Sequence, residues 1–398
     1  MKIIPYGKQN ITEADIEAVS QVLKSDFLTQ GPTILEFENA FSNYIGCRYS
    51  IAVANGTAAL HLCAMAMNIQ PGDKVIVPPI SFSASANCIR YCGGEVVFSD
   101  IDPDTLLIDI NLIRKLLESS PSGTYKGIVP VDFGGRPIKM DDFRALADEF
   151  GLWIIEDACH APGAFYTDSN GTKQNAGNGF FADLAIFSFH PVKHIASGEG
   201  GMITTNDEEL YERILALRTH GITKNPLQFT NTIEQAGGDP VNNKYPGWYM
   251  EMQELGYNYR LTDFQAALGK SQLQRADNGM NRRLEIASNY DQAFGTNKNI
   301  ILCMNDKEDK NRNAYHLYII QVQNRLGLYN YLKEHNIYAQ IHYFPIHLMP
   351  YYKNLGWKEG DMPNSEKYYS RCISLPLYPT LTNEEQQFVI DKVNTFCE

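Results

Sequence analysis

Apolar residues recur along this chain in two rhythms. From about residue 50 to 206 short apolar runs (SIAVAN, KVIVPP, EVVFSD, GIVPVD, LWIIED, LAIFSF, GMITTN) alternate with helically spaced segments. Those segments are GTAALHLCAMAM, SFSASANCIRYC, residues 109–119 and MDDFRALADEF. Such alternation predicts an α/β unit built on a mostly parallel sheet with helices on both faces. Ligands of such sheets collect beyond the carboxyl ends of the strands. Upstream, ITEADIEAVSQVLKS opens at Thr12 as an N-cap, with Asp15 three residues on and Ile16, Val19 and Leu23 at helical spacing. LTQGP at 28–32 breaks the chain before a second helix near 33–44. Residues 220–260, rich in Gly, Asn, Pro and Tyr, read as a long ordered loop. A long helix over 262–293, strands YHLYIIQV and YAQIHYF, and a closing helix over 382–396 suggest a smaller α+β unit. The division expected is a large α/β domain over 1–260, and a linking helix with a small domain over 261–398.

Charge and cysteine usage narrow the function. The net charge of −12 argues against nucleic acid as a partner while leaving room for one anion in a local pocket. The eight cysteines form no C-x-x-C, so they read as buried thiols of a reducing cytoplasm. No apolar run reaches the length of a membrane span, so no membrane partner is expected, and the sequons at Asn10, Asn55 and Asn170 are read as chance matches.

The candidate chemistry sits at the strand ends. AVANGTAAL places Gly56 and Thr57 between a strand and a helix, either as an ordinary turn or as a phosphate site at a helix N-terminus. LWIIEDACHA ends a buried strand with Glu156 and Asp157, a helix cap or a carboxylate that holds a proton on a ring nitrogen. SFHPVKHIASGEGG carries Ser188 and Lys193 between two apolar runs, beside Gly198, Gly200 and Gly201. A solvated lysine needs no such setting, whereas one that loses its proton and bonds to a carbonyl does. Phe82 in PISFSASAN is a core residue or a ring platform. Phosphate cradle, carboxylate, lysine and ring together match pyridoxal phosphate. His190 and His194 flank Lys193 at i, i+4, and His342 and His347 flank a proline, yet neither pair has the surroundings of a metal site, so no metal is expected.

The ordered motifs NGTAAL, PISFSASAN, EDACHA, FSFHPVKHIASGEGG and LGYNYRLTDFQAALG resemble the DegT/DnrJ/StrS sugar aminotransferases over nearly the whole chain. The opening IPYGKQNITEADIEAVSQVLKSDFLTQGP and the late QIHYFPIH resemble the branch that aminates C4 of a UDP-linked 4-keto-6-deoxy-N-acetylhexosamine for pseudaminic acid, as in flagellin glycosylation. The resemblance implies the aspartate-aminotransferase-like fold (fold type I), pyridoxal 5'-phosphate, and a cytoplasmic homodimer with shared active sites. It makes Lys193 the Schiff-base lysine and Asp157 the partner of the pyridine nitrogen, with Thr57, Ala58 and Ser188 on the phosphate. His160 takes the place above the ring where many relatives have glutamine, and Asn258 reaches the partner's site. Substrate positions implied are Tyr6, Asp26, Phe27, Leu28, Thr29, Gly56, Ser188, Asn258, His342, Tyr343, Phe344, Pro345 and Ile346.

The expected reaction is ping-pong transfer from L-glutamate to a nucleotide-linked keto-sugar, with Lys193 moving the proton. Perosamine-type, 4-amino-arabinose-type or 3-amino-sugar transfer are the near alternatives. A sugar dehydratase of the same family would carry histidine in place of Lys193, and a regulatory relative would lose Lys193 or Asp157. A dinucleotide oxidoreductase lacks support, because no G-x-G-x-x-G follows the early strands.

Overall fold

The computed structural model describes residues 3–303 and 311–398. Seven of the apolar runs form the central sheet: β1 (Tyr49–Val53), β2 (Lys74–Val77), β3 (Glu95–Phe98), β4 (Tyr125–Ile128), β5 (Trp153–Asp157), β6 (Leu184–Ser188) and β7 (Gly201–Thr205). Their order across the sheet is β1-β7-β6-β5-β4-β2-β3. Neighbours run parallel except at β7, which is antiparallel to both β1 and β6. The reversal follows from the connection: only the loop 189–200 separates β6 from β7, and a parallel return needs a longer crossover. Burial on both faces explains the near-continuous apolar runs, as in β6, where Leu184 to Phe187 are all inaccessible to solvent.

The expected cap at Thr12 is present. Its amide donates to Asp15 Oδ2 at 2.8 Å and opens the helix Glu13–Leu23. Asp15 is wholly buried because it also binds Ser271 Oγ at 2.7 Å and the Arg275 guanidinium. Those bonds correct one expectation. The single helix over 262–293 is two helices, Asp263–Leu273 and Ala276–Phe294. Arg275 leaves helical geometry (φ −120°, ψ 17°) while its guanidinium reaches Asp15 and the Asn10 carbonyl. The first of the pair packs with Phe37, Phe41 and Ile45 through Ala266 and Leu273.

The C-terminal part holds an antiparallel sheet of Ile300–Leu302, Tyr318–Val322 and Cys372–Leu375. Its core joins Ile286, Tyr290 and Phe294 to Ile319, Val389 and Val393, with the closing helix at Asn383–Cys397. The strand expected at YAQIHYF is corrected: only Ile337–Tyr338 pairs, parallel to Ile4–Pro5. Beyond a single bridge at Gln340 the backbone turns away, and the His342 carbonyl accepts the Tyr368 hydroxyl at 2.6 Å rather than a ladder partner.

Residues 220–260 are mostly irregular around one short pair, Ile222–Thr223 with Glu251–Met252. Glu251 organises the loop by accepting from the amides of Thr230 and Asn231 at 2.7 and 2.9 Å. No helix among the described residues is long and apolar enough to cross a membrane.

Candidate active site

The carboxyl ends of β1, β2, β5 and β6 point to one edge of the sheet, where Gly56, Phe82, Asp157 and Ser188 lie. Asn55 caps the helix Gly56–Ala66 by accepting from the Ala58 amide at 2.8 Å. The amides of Gly56 and Thr57 open that helix and have no acceptor within it. Gly56 is needed there for space, since a Cβ would stand 3.1 Å from Ser188 Cβ and 3.5 Å from Cys159 Sγ. The Ser188 hydroxyl and the first-turn amides thus share one small opening, the geometry that holds a phosphate.

Asp157 is buried at the end of β5 and takes two donors. The Ser85 hydroxyl donates to Oδ2 at 2.6 Å and the Cys159 amide to Oδ1 at 3.2 Å. Ser85 is in turn 2.7 Å from Ser81 Oγ. Ser85 escaped the sequence reading, although it lies one helical turn after Phe82 in the same PISFSASAN motif. Phe82 itself is 59% exposed, so it is an open apolar face and not a core residue. Tyr343, 6.4 Å away between ring centres, is its aromatic neighbour.

Lys193 sits in the loop between β6 and β7, where its amide donates to the His190 carbonyl at 2.8 Å and closes a tight turn. Burial lowers its pKa, while Cys159 and Asp157 act in the opposite direction. His160 is buried with its ring 4.3 Å from that of His316. The Gly134 amide donates to His160 Nδ1 at 3.2 Å, so the neutral ring carries its proton on Nε2, which faces the Tyr343 hydroxyl at 3.5 Å. Burial pushes this imidazole well below its ordinary pKa, helped by Lys193 and by His342 and His194. His316 was also missed by sequence. The turn at Gly134–Gly135 delivers it: Gly135 has φ +102°, and a Cβ there would meet the backbone nitrogens of Tyr315 and His316 at 2.8 and 2.9 Å.

His342 and Tyr343 join this group. His342 Nδ1 is 2.9 Å from Ser374 Oγ, its ring centre is 5.2 Å from that of Tyr6, and burial lowers its pKa to about 3. Pro345 and Ile346 are buried, and Ile346 fastens the segment through its amide to the Pro79 carbonyl at 2.9 Å. Phe344 packs on Tyr369 with ring centres 5.1 Å apart. His347 is engaged elsewhere, 3.0 Å from Glu366 Oε1, and His194 Nε2 is 2.9 Å from the Ala314 carbonyl. Asp26, Phe27, Leu28 and Thr29 are exposed, and their described contacts run to Thr262 and Asp263 instead of to the cluster. Asn258 is also exposed, bridged to Thr219.

The donor set fits pyridoxal phosphate. It offers amides and a hydroxyl for a phosphate, a doubly held carboxylate, a lysine with lowered pKa and an open aromatic face.

Comparison with known proteins agrees. Residues 9–394 match the model of the DegT/DnrJ/EryC1/StrS aminotransferase family. The spore coat polysaccharide biosynthesis protein SpsC of Bacillus subtilis is 39% identical, with 98% of this chain and 96% of that protein covered. A UDP-4-amino-4,6-dideoxy-N-acetyl-beta-L-altrosamine transaminase of Campylobacter jejuni is 34% identical, with 100% of this chain and 98% of that protein covered. Among solved structures, Helicobacter pylori PseC, an aminotransferase of pseudaminic-acid biosynthesis, superposes with a TM-score of 0.86 at 30% identity, covering 100% of this chain and 99% of that one. The Streptococcus pneumoniae protein Spr1654, solved in a PLP-form, gives 0.85 at 29% identity, covering 99% and 98%. The chain belongs to the DegT/DnrJ/EryC1/StrS family and is a pyridoxal-phosphate-dependent sugar aminotransferase of fold type I.

Proposed function

We propose that this enzyme moves the amino group of L-glutamate to the C4 keto group of a UDP-linked 4-keto-6-deoxy-N-acetylhexosamine, within pseudaminic-acid biosynthesis. The observation that carries amino transfer is the pairing of Lys193, its pKa lowered by burial, with a buried Asp157 held by Ser85 and Cys159. Support for the particular sugar comes from end-to-end similarity to the Campylobacter transaminase and to PseC.

Pyridoxal phosphate, when bound, supplies an aldehyde that captures amines and a ring that takes up electrons. In this reading Thr57, Ala58 and Ser188 hold its phosphate, Phe82 covers one face, and Asp157 holds the proton of its ring nitrogen. Fixing that carboxylate with two donors removes the need to reorganise it during the reaction. Lys193 acts as the proton carrier. It takes the proton from the donor's α-carbon in the first half-reaction and delivers one to sugar C4 in the second, so its side of approach sets the configuration. His160, with a proton fixed on Nε2, offers a hydrogen bond into the cleft. Tyr6 and His342 to Ile346 line the sugar's side, and Gly56 leaves room for it.

A homodimer completes the site in this proposal, with Asn258 and the loop 220–260 reaching the partner. Leu227, Val241 and Trp248 on that loop are 93%, 91% and 77% exposed, a cost that a partner surface would remove. Asp26 to Thr29, remote from the cluster by their own contacts, would serve a shared site in the same way. The proposed setting is the cytoplasm.

A second reading has an observation behind it. SpsC is 39% identical, and its name points to a spore coat polysaccharide. A different nucleotide-linked keto-sugar would then use the same machinery. Assay of the loaded enzyme with glutamate against UDP-, GDP- and dTDP-linked keto-sugars decides. Selective turnover of the UDP-linked 4-keto-6-deoxy-N-acetylhexosamine is expected, and selective turnover of another sugar overturns the assignment.

A further inference from the structure

A cavity of about 290 Å³ lies against Lys193 on the side of the N-terminal segment and the helix Ala276–Phe294. Its wall includes Lys8, Arg275, Arg282, Arg283, Lys193 and His194, and among the described residues no aspartate or glutamate lines it. For a chain of net charge −12 that is a local inversion of sign. Two of the cations are neutralised nearby, Arg275 by Asp15 and Arg282 by Glu285. Lys8 and Arg283 have no carboxylate partner among the described residues, and Lys193 answers to Asp157 on the cofactor side.

Arg283 is the telling member. It is 2% exposed, yet its described hydrogen bonds all leave from Nη1, to the carbonyls of Tyr315, His316 and Leu377. Its Nε is buried with no hydrogen-bond partner among the described residues. A buried guanidinium without a counter-ion is costly to keep, and an arriving anion would satisfy it.

We propose that this cavity receives the carboxylate end of the amino donor, bound by Arg283 and Lys8, while the donor's amine takes the place of the Lys193 amine on the cofactor's aldehyde carbon. The inference rests on the transaminase reading above. Volume favours the donor, because about 300 Å³ is the lower end for small-molecule pockets and too little for a nucleotide sugar. Chemistry favours it too, since the donor is the reactant that must bring both a carboxylate and an amine to the carbon that Lys193 gives up.

The test separates the two half-reactions of the loaded enzyme. Lys8→Glu and Arg283→Lys are each expected to raise the glutamate concentration for half-maximal bleaching by about tenfold or more. The keto-sugar concentration for half-maximal recovery stays within about twofold. Lys8 is exposed, so its variant probes charge without endangering the fold, and a melting curve checks the Arg283 variant. Calorimetric titration of glutarate into the cofactor-free protein gives an independent reading: binding in the wild type, loss in Lys8→Glu. Unchanged glutamate dependence in both variants overturns the inference, as does a shift confined to the keto-sugar step, which would assign the cavity to the nucleotide's phosphates. A wild-type enzyme that glutamate does not bleach would instead refute the proposed donor, and the glutarate titration would still decide whether the cavity binds a dicarboxylate.

Discussion

Two groups of titratable side chains, both reaching the neighbourhood of Lys193, solve the same problem differently. On one side are the carboxyls of Asp132, Glu156 and Asp157, and on the other the imidazoles of His160, His194, His316 and His342. Asp157 from the first group and all four histidines from the second interact electrostatically with Lys193. Burial disfavours charge on both. The imidazoles respond by staying neutral: all four are pushed below their ordinary value by burial, with Lys193 adding to the shift. Among the carboxyls, burial pushes Glu156 up to about 7 and Asp132 well above the usual range, with Glu156 adding to the latter. Among the described residues Asp132 Oδ2 has no hydrogen-bond donor, as expected of an oxygen that shares a proton with the adjacent Glu156. Asp157 differs from both by receiving a hydroxyl and an amide. Asp157 is thus set apart from Asp132 and Glu156 twice over: it has a hydroxyl donor as well as an amide, and it is the carboxyl that acts on Lys193.

The harshest way to break this contrast is to remove its centre. Lys193→Ala should fold yet lose the glutamate half-reaction by about 10²–10⁴-fold, the usual weight of a positioned proton carrier. Stopped-flow absorbance with glutamate measures it, and turnover near the wild-type rate would refute the role. Asp157→Asn comes next. The amide keeps an acceptor for Ser85 but gives up the negative charge, and a fall on the order of 10²-fold is expected. Asp132→Asn, on the same side but without Asp157's donors, should lose far less. Equal losses would mean the acid side acts as one unit.

Ser85→Ala is a finer probe. It deletes one hydrogen bond to a carboxylate, about 1.5–3 kcal/mol, and should slow the same half-reaction by about tenfold or somewhat more. Ser85→Thr, which retains a hydroxyl, should recover part of the loss. An alanine variant at full rate would leave Asp157 positioned by the Cys159 amide alone.

The two sides were not equally legible in sequence. Asp157 and Lys193 end or follow apolar strand runs, and strand ends in a parallel sheet converge by topology, so local pattern was enough. Ser85 was hidden by its commonness, since a serine near a helix start ordinarily caps. His316 had no local signal at all: it is brought in by a glycine turn about 180 residues earlier, and such contacts between distant segments leave no periodicity. The helix break at Arg275 was masked for the same reason, because Asp15, which draws its guanidinium, lies in the N-terminal helix. YAQIHYF alternates like a strand, but after Gln340 the backbone leaves the ladder, so the sequence neighbours His342 and Tyr343 can both join the cluster at the cleft.

The smallest effect, and the one that sharpens the comparison most, is the opposite pH dependence of the two sides. A histidine with a depressed folded pKa contributes stability that is present above its unfolded value of about 6.5 and is lost as pH falls through the folded one. For His342 that window runs from about 6.5 down to about 3, at up to about 1.4 kcal/mol per pH unit. Glu156 has the reverse sign. Its folded value is raised to about 7, so its contribution is complete below about 4.5 and is lost as pH rises through 7. Between about pH 4.5 and 6.5 the two oppose each other. Glu156→Gln removes the acid-side contribution, so its melting temperature relative to wild type should climb as pH is raised from 5 to 8, by a few degrees. His342→Gln keeps a polar side chain for Ser374 and should instead gain relative to wild type as pH is lowered from 7 to 4. Thermal melts of the cofactor-free protein across this range measure both differences. Parallel curves for all three proteins would mean that neither side holds its protonation state against solvent, and the contrast drawn around Lys193 would fall.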